Sequence, residues 1–184
     1  MGRWGGQRSG GEIAGADTNN QRVRAIGADP AHTIRTLAGN GNPGWRDGPG
    51  AQAMFRAPTA VAYGPDGSLY VVDSDNQVIR RIANDPPTYT VTTIAGYPYD
   101  AHGYTDRAGA QARFRAQTGM AMDGAAILLA DTGNHRIRQI VPGADAQSTA
   151  VAARSRAVCF DELQVRQRPG PARAMPLPAR GGTE

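Results

Sequence analysis

The sequence predicts an all-β chain made of repeated four-stranded antiparallel sheets. Three observations predict it: a ten-residue pattern that occurs three times, a second set of matching segments at the same period, and short strand-forming runs bounded by turn residues. The composition agrees. Of 184 residues 40% are apolar but only 6% aromatic, and Gly and Pro together number 37, which suits many tight turns better than long helices.

The pattern reads Asp17-Thr-Asn-Asn20-Gln-Arg-Val-Arg24-Ala-Ile26, then Asp73-Ser-Asp-Asn76-Gln-Val-Ile-Arg80-Arg-Ile82, then Asp131-Thr-Gly-Asn134-His-Arg-Ile-Arg138-Gln-Ile140. The leading aspartates are 56 and 58 residues apart. Thr36-Leu-Ala-Gly39 matches Thr93-Ile-Ala-Gly96, and Gly50-Ala-Gln-Ala53-Met-Phe55-Arg-Ala57 matches Gly109-Ala-Gln-Ala112-Arg-Phe114-Arg-Ala116. Two separate matches at one period establish an internal repeat, and a period of this size indicates a repeat architecture.

Along the chain, residues 1–11 are Gly- and Arg-rich and are expected to be disordered. Residues 12–141 carry the repeat. Its central copy reads as four strands: Pro58 to Tyr63, a Gly64-Pro-Asp-Gly67 turn, Ser68 to Asp73, a turn at Asp73 to Asn76, Gln77 to Ile82, and Tyr89 to Ala95. Gly, Pro, Asp and Asn at these joints supply the backbone conformations that turns need. Four short strands per repeat fit one blade of a β-propeller. Asp47 and Asp106 precede the GAQA segments, where a carboxylate could cap one helical turn, and Phe55 and Phe114 are expected to plug the gaps between blades. On this reading the chain holds one complete blade, the last half of a preceding one and most of a following one. The ring is incomplete, and an open arc leaves sheet edges available for pairing. Residues 142–184 are Arg-, Pro- and Gly-rich and read as a largely disordered tail. Ser148 to Val158, Ala-rich and interrupted by Arg, is a weak candidate for a further strand.

The run Leu69-Tyr-Val-Val-Asp73, Asn76, Ile79-Arg80 and Ile82, followed by an IAG segment, resembles the NHL repeat, and Leu128-Leu-Ala-Asp131-Thr-Gly-Asn-His135-Arg-Ile-Arg138 matches it most closely. The resemblance spans roughly Ile13 to Val141. One departure is Gln117-Thr-Gly, where the preceding repeat has Pro58-Thr-Ala. The resemblance implies an NHL-type propeller, commonly of about six blades. It implies no single job, since such propellers serve as protein-binding modules, RNA-binding modules, sensor domains and a few enzymes.

Charge argues against nucleic acid. The net charge is +4, yet between Glu12 and Val141 there are 12 Arg against 12 acids, so the surplus lies in the ends. A nucleic-acid surface shows as a basic face on the folded part. No apolar stretch approaches the length of a membrane span, and Met1 to Gly11 shows no signal-peptide core, so the sequence assigns no compartment. Cys159 is the only cysteine.

Asp17, Asp73 and Asp131 are expected to satisfy turn backbone rather than act as catalysts, because a fold needs a residue once per blade and an active site needs it once. Asn20, Asn76 and Asn134 are expected in the left-handed turn conformation, and Arg24, Arg80 and Arg138 to pair with acids or carbonyls. His32, His102 and His135 lack metal-ligand spacing, so no cofactor or metal is expected. The loops Asn40 to Asp47 and Tyr97 to Asp106 differ although their flanks agree. Trp45, Arg46, Tyr97, Tyr99, His102 and Tyr104 on them form either a contact surface for a protein partner or a cover for the interblade core. The leading expectation is a protein-binding scaffold that self-associates or otherwise completes its ring. A lactonase-like enzyme with a central metal, for which the inner strands offer only Asp123, and an RNA-binding propeller are the alternatives.

Overall fold

A computed structural model of the chain describes residues 3–7, 10–98, 103–143 and 149–153. Among these residues the chain is all-β, in three four-stranded antiparallel sheets. The first is β1 (Arg3–Gln7), β2 (Ile13–Asp17), β3 (Arg22–Ile26) and β4 (Ile34–Ala38). The second is β5 (Pro58–Tyr63), β6 (Leu69–Asp73), β7 (Val78–Ile82) and β8 (Val91–Gly96). The third is β9 (Gly119–Asp123), β10 (Ala126–Asp131), β11 (Arg136–Val141) and β12 (Ala150–Ala153). Within each sheet the strands pair in chain order, the meander that short hairpin connections impose. The first strands lie side by side, β1 and β2 against β5 and β5 against β9. The sheets are successive blades of a propeller arc that does not close.

Burial records the stacking. Every residue of β6 is buried, because the middle blade is covered on both faces, and a strand so placed reads as a continuous apolar run. In the first blade β3 alternates buried with half-buried positions, since one face has no blade against it. Val71 and Leu69 join Val23, Ala25, Leu37, Phe55 and Val61 in a core between the first two blades. Tyr70 and Val72, on the opposite face of β6, join Ile79, Ile94, Phe114, Ile127, Leu129 and Ile140 between the second and third. Phe55 and Phe114 are fully buried, one in each core.

Several sequence expectations are corrected. The chain has three four-stranded blades instead of one complete and two partial ones, because β1 and β12 supply the missing strands. β1 lies in the segment 1–11 expected to be disordered, and β12 in the segment 142–184. Both are held by backbone ladders, Arg3↔Ala16 to Gln7↔Ile13 and Arg138↔Ala153 to Val141↔Ala150, which demand little of the side chains. Of the rest of these two segments Gly10, Gly11, Pro142, Gly143 and Thr149 are described, and the others lie outside the described residues. β7 begins at Val78 because Gln77 turns the chain with φ 58°. β8 begins at Val91 because Tyr89 has φ 48°. Both GAQA segments make a single helical turn, Ala53 donating to the Pro49 carbonyl at 2.9 Å and Ala112 to that of Ala108 at 3.2 Å, and no side chain caps the second, Gly109–Gln111.

Candidate functional site

The repeated polar residues assemble one lock per blade. Asp73 ends β6, a single 3-10 turn Ser74–Asn76 follows, and Arg80 projects from β7. The Asp73 carboxylate accepts from Asn76 Nδ2 at 2.8 Å and from Arg80 Nη1 at 2.9 Å. Its other oxygen accepts the backbone N–H of Arg56 at 2.7 Å. Arg80, 0% exposed, also donates to the carbonyls of Met54 (3.0 Å) and Arg46 (2.8 Å) and to Asp47 (2.6 Å), and its guanidinium lies 5.0 Å from the Phe55 ring centre. Asn76 donates to the carbonyl of Gly44 at 2.8 Å. The lock therefore grips the linker that enters its own blade, through charge-assisted bonds from Arg80 and to Asp73 and a neutral one from Asn76.

The third blade repeats this geometry. Asp131 accepts from Asn134 (2.9 Å), Arg138 (2.9 Å) and the N–H of Arg115 (2.8 Å). Arg138, also 0% exposed, donates to the carbonyls of Arg113 (3.1 Å) and Thr105 (2.8 Å), pairs with Asp106 at 2.6 Å and stacks 5.0 Å from Phe114. Asn134 donates to the carbonyl of Gly103 at 2.7 Å. In the first blade Asp17 accepts from Asn20 at 2.9 Å and from Arg24 at 3.4 Å.

Two assignments made from sequence change. The asparagines are not left-handed; that conformation falls on the next residue, Gln21 (φ 55°), Gln77 (φ 58°) and His135 (φ 53°). Each asparagine ends the right-handed 3-10 turn, which aims its amide at the aspartate. Asp47 and Asp106 receive arginines rather than capping helices, and Asp47 also accepts the N–H of Thr93 at 2.9 Å. Sequence reasoning missed the glutamines' task. Gln21 Oε1 accepts the N–H of Ala57 at 2.7 Å and Gln77 Oε1 that of Ala116 at 3.0 Å, so the first and second blades also clip the linker leading to the next. The signal was the Gln recurring directly after Asn20 and Asn76, a place that His135 takes after Asn134. Gln117, fully buried, has neither amide atom bonded among the described residues.

Burial pushes the Asp73 carboxyl up to about 6, opposed by Arg80, the Arg56 N–H and Asn76. Desolvation of a carboxylate therefore outweighs its partners here.

The loop candidates are partly brought together. Trp45 is half-buried, its indole N–H donating to Thr93 Oγ1 at 2.9 Å, and Arg46 is exposed. Tyr97 is 52% and Tyr104 41% exposed. Arg113 lies 4.6 Å from the Tyr97 ring centre and Arg136 lies 4.0 Å from that of Tyr104. Tyr104 also hydrogen-bonds Asp106, which raises its phenol pKa. Tyr99, His102 and Cys159 lie outside the described residues. Asp123 is exposed on β9, and among the described residues no three His, Cys, Asp or Glu side chains converge as metal ligands. No helix among the described residues is long and apolar enough to cross a membrane.

Three meandering blades, each with an Asp–Asn–Arg lock, define a β-propeller arc. Protein SUPPRESSOR OF QUENCHING 1, chloroplastic, of Arabidopsis thaliana is 32% identical over 135 residues, 68% of this chain and 12% of that protein. NHL repeat-containing protein 2 of Homo sapiens is 29% identical over 132 residues, 67% of this chain and 18% of that protein. An auxiliary nutrient binding protein from Bacteroides thetaiotaomicron superposes with a TM-score of 0.63 at 27% identity, covering 74% of this chain and 36% of that one. No family model matches the chain. The chain belongs to the NHL-repeat propeller family as a partial propeller. It spans between 12% and 18% of the length of these two curated relatives.

Proposed function

We propose that this arc is a scaffold that binds a protein partner through the loop face between its second and third blades, with no catalysis of its own. The observation that supports the reading is the pair of exposed tyrosines, Tyr97 and Tyr104, each braced by an arginine, Arg113 and Arg136. A braced ring loses little further side-chain freedom when a partner covers it, and Tyr and Arg are the residues that most often carry interface energy. The repeated polar residues of the second and third blades are occupied within the locks. The loops that vary between repeats are where specificity resides. Trp45 with Arg46 extends the proposed surface one blade back. Nucleic acid is not the expected partner, given 12 Arg balanced by 12 acids between Glu12 and Val141. Completion of the ring, by self-association or by further blades, accompanies this reading.

The test is photo-crosslinking from a cell extract with the immobilised full chain and with a Tyr97→Ala/Tyr104→Ala variant of equal thermal stability. The expected result is at least one protein recovered with the parent and lost with the variant. Identical recovery by both, or turnover of a small substrate by a chain that recovers nothing, overturns the reading.

A further inference from the structure

The balance of charge between Glu12 and Val141 is not spread evenly along the strands. Pro58 pairs with Asp73 and Asp73 with Val78, so β5 begins at the lock end, whereas Tyr63 pairs with Leu69 at the other. That other end and its hairpins carry five acids, Glu12, Asp29, Asp66, Asp85 and Asp123, against two arginines, Arg35 and Arg81. Ten arginines and seven acids remain for the lock end and its linkers, one of the acids, Asp100, lying outside the described residues. Five of the acids are paired with Arg24, Arg80 and Arg138 in the locks. What is left there is seven arginines and, among the described residues, one acid, Asp75. The neutral body is polarised from end to end.

Two of the seven arginines are held for presentation. Arg56 and Arg115, 59 residues apart, stand just ahead of β5 and β9, the first strands of their blades. The Arg56 N–H donates to Asp73 at 2.7 Å and its carbonyl accepts the Asp75 N–H at 3.1 Å. The Arg115 N–H donates to Asp131 at 2.8 Å and its carbonyl accepts the Gly133 N–H at 2.9 Å. Their next residues, Ala57 and Ala116, are pinned in turn by Gln21 and Gln77 of the preceding blade. Yet both arginines are exposed, and neither guanidinium makes a hydrogen bond or ion pair among the described residues. The Asp, Asn and Arg of the locks recur because each blade consumes them. Arg56 and Arg115 recur as well, but the bonds that the fold takes from them are backbone bonds, which any residue but proline supplies. Their cations stay available on a backbone that is already fixed, and a guanidinium grips a carboxylate through two parallel hydrogen bonds.

We propose that the lock end of the second and third blades docks an acidic segment of the protein partner, with Arg56 and Arg115 each clamping one of its carboxylates. The inference rests on the protein-binding reading above and names the chemistry of the partner. Tyr104 lies on the linker that carries Arg115, which makes the clamp continuous with the Tyr97–Tyr104 surface. An acidic polypeptide fits this end better than a nucleic-acid strand. The exposed Asp75 sits on the turn between the two clamps, where it repels a continuous phosphate backbone. Arg113 and Arg136 lie over the rings of Tyr97 and Tyr104, on which bases would otherwise stack.

The probe is a fluorescein-labelled oligoglutamate, titrated with the full chain by fluorescence anisotropy, with a glycine–serine peptide of the same length as reference and a homopolymeric RNA as competitor. Saturable binding to oligoglutamate alone is expected, weakening as salt rises. Arg56→Gln/Arg115→Gln lowers the affinity about tenfold or more. Arg81→Gln, the same change of charge at the opposite end, leaves it unaltered. Asp75→Asn tightens binding, a gain that a poorly folded variant cannot give. No saturable binding, or equal losses in Arg81→Gln and in the Arg56/Arg115 variant, overturns the proposal, the second because the charge of the whole chain would then be the attractant. RNA that binds more tightly with the same dependence on Arg56 and Arg115 overturns it in favour of nucleic acid. Extract crosslinking that needs Tyr97 and Tyr104, with oligoglutamate binding indifferent to Arg56 and Arg115, removes the clamp and leaves the scaffold. Arginine-dependent oligoglutamate binding by a chain that recovers no protein from extract does the reverse.

Discussion

Replacing Arg80 with Met keeps the bulk of the side chain and removes its charge and five hydrogen bonds, to Asp73, Asp47 twice, Met54 and Arg46. Asp73, with 0% side-chain exposure, keeps only the Arg56 N–H and Asn76. Stranding a buried charge this way costs about 3–5 kcal/mol, comparable to the whole stability of a marginal domain. Arg24→Met removes one contact of 3.4 Å between half-exposed groups, which is worth at most about 1 kcal/mol. With a urea m-value of about 2 kcal/mol/M, Arg80→Met lowers the unfolding midpoint by about 2 M and Arg24→Met by about 0.5 M or less, followed by far-ultraviolet circular dichroism. Adding Asp73→Asn to Arg80→Met recovers part of the loss, since a neutral amide needs no counter-charge. Equal midpoints for Arg80→Met and Arg24→Met, or no recovery in the double variant, would refute the account of the lock.

Three further outcomes follow from the same geometry. Because the folded Asp73 holds its proton up to about pH 6, above the ordinary carboxylate value, the native state binds more protons than the unfolded one between about pH 4 and 6. That contribution to stability falls as pH rises through this window. On lowering the pH from 7 to 4, the parent gains on the order of 2–3 kcal/mol relative to Asp73→Asn; a pH-independent difference in urea titrations contradicts this. Gly96→Ala puts a methyl 2.4 Å from the Gln77 carbonyl oxygen and 2.9 Å from the Val78 Cα at φ 92°, costing more than about 2 kcal/mol. Gly48→Ala, at φ 119° with open space around it, carries only the backbone strain of about 1–2 kcal/mol, and thermal melts rank the two. Phe114→Ala empties the centre of the core between the second and third blades and costs about 3–5 kcal/mol by denaturant titration, while Phe114→Leu retains most of that.

What the sequence made legible is what repeats locally. Pro58, the Gly64-Pro-Asp-Gly67 turn and the Asp73–Arg80 pattern specify strands and turns within a dozen residues, so the sheets of the middle blade could be read directly. β1 could not, because Arg-Trp-Gly-Gly-Gln has no strand signature and depends on β2 for its pairing. The turn asparagines misled because αL propensity is a single-residue preference, whereas the 3-10 turn needs its third residue right-handed to reach Asp73 or Asp131. The partners of Arg80 were hidden by distance: Asp47 lies 33 residues upstream and, seen locally, resembled a helix cap. That Arg24 would differ from Arg80 was invisible for the same reason, since the two segments are alike and only the linkers around them are not.

The displacement between each lock and the strands it sits in decides where the exchangeable unit begins. A blade cut at its sheet boundaries, before Pro58 and after Gly96, leaves Asp47 and Phe55 behind and strands Arg80 without them. A cassette cut from Gly39 to Ala95 carries both halves of the fastening, and its ends fall at the repeated Ala-Gly joints, where Gly39 and Gly96 occupy equivalent left-handed positions. Duplication, loss or shuffling of blades within such propellers is therefore conservative in that reading frame and disruptive in the other. The same frame is the one in which to graft a blade from one ring into another.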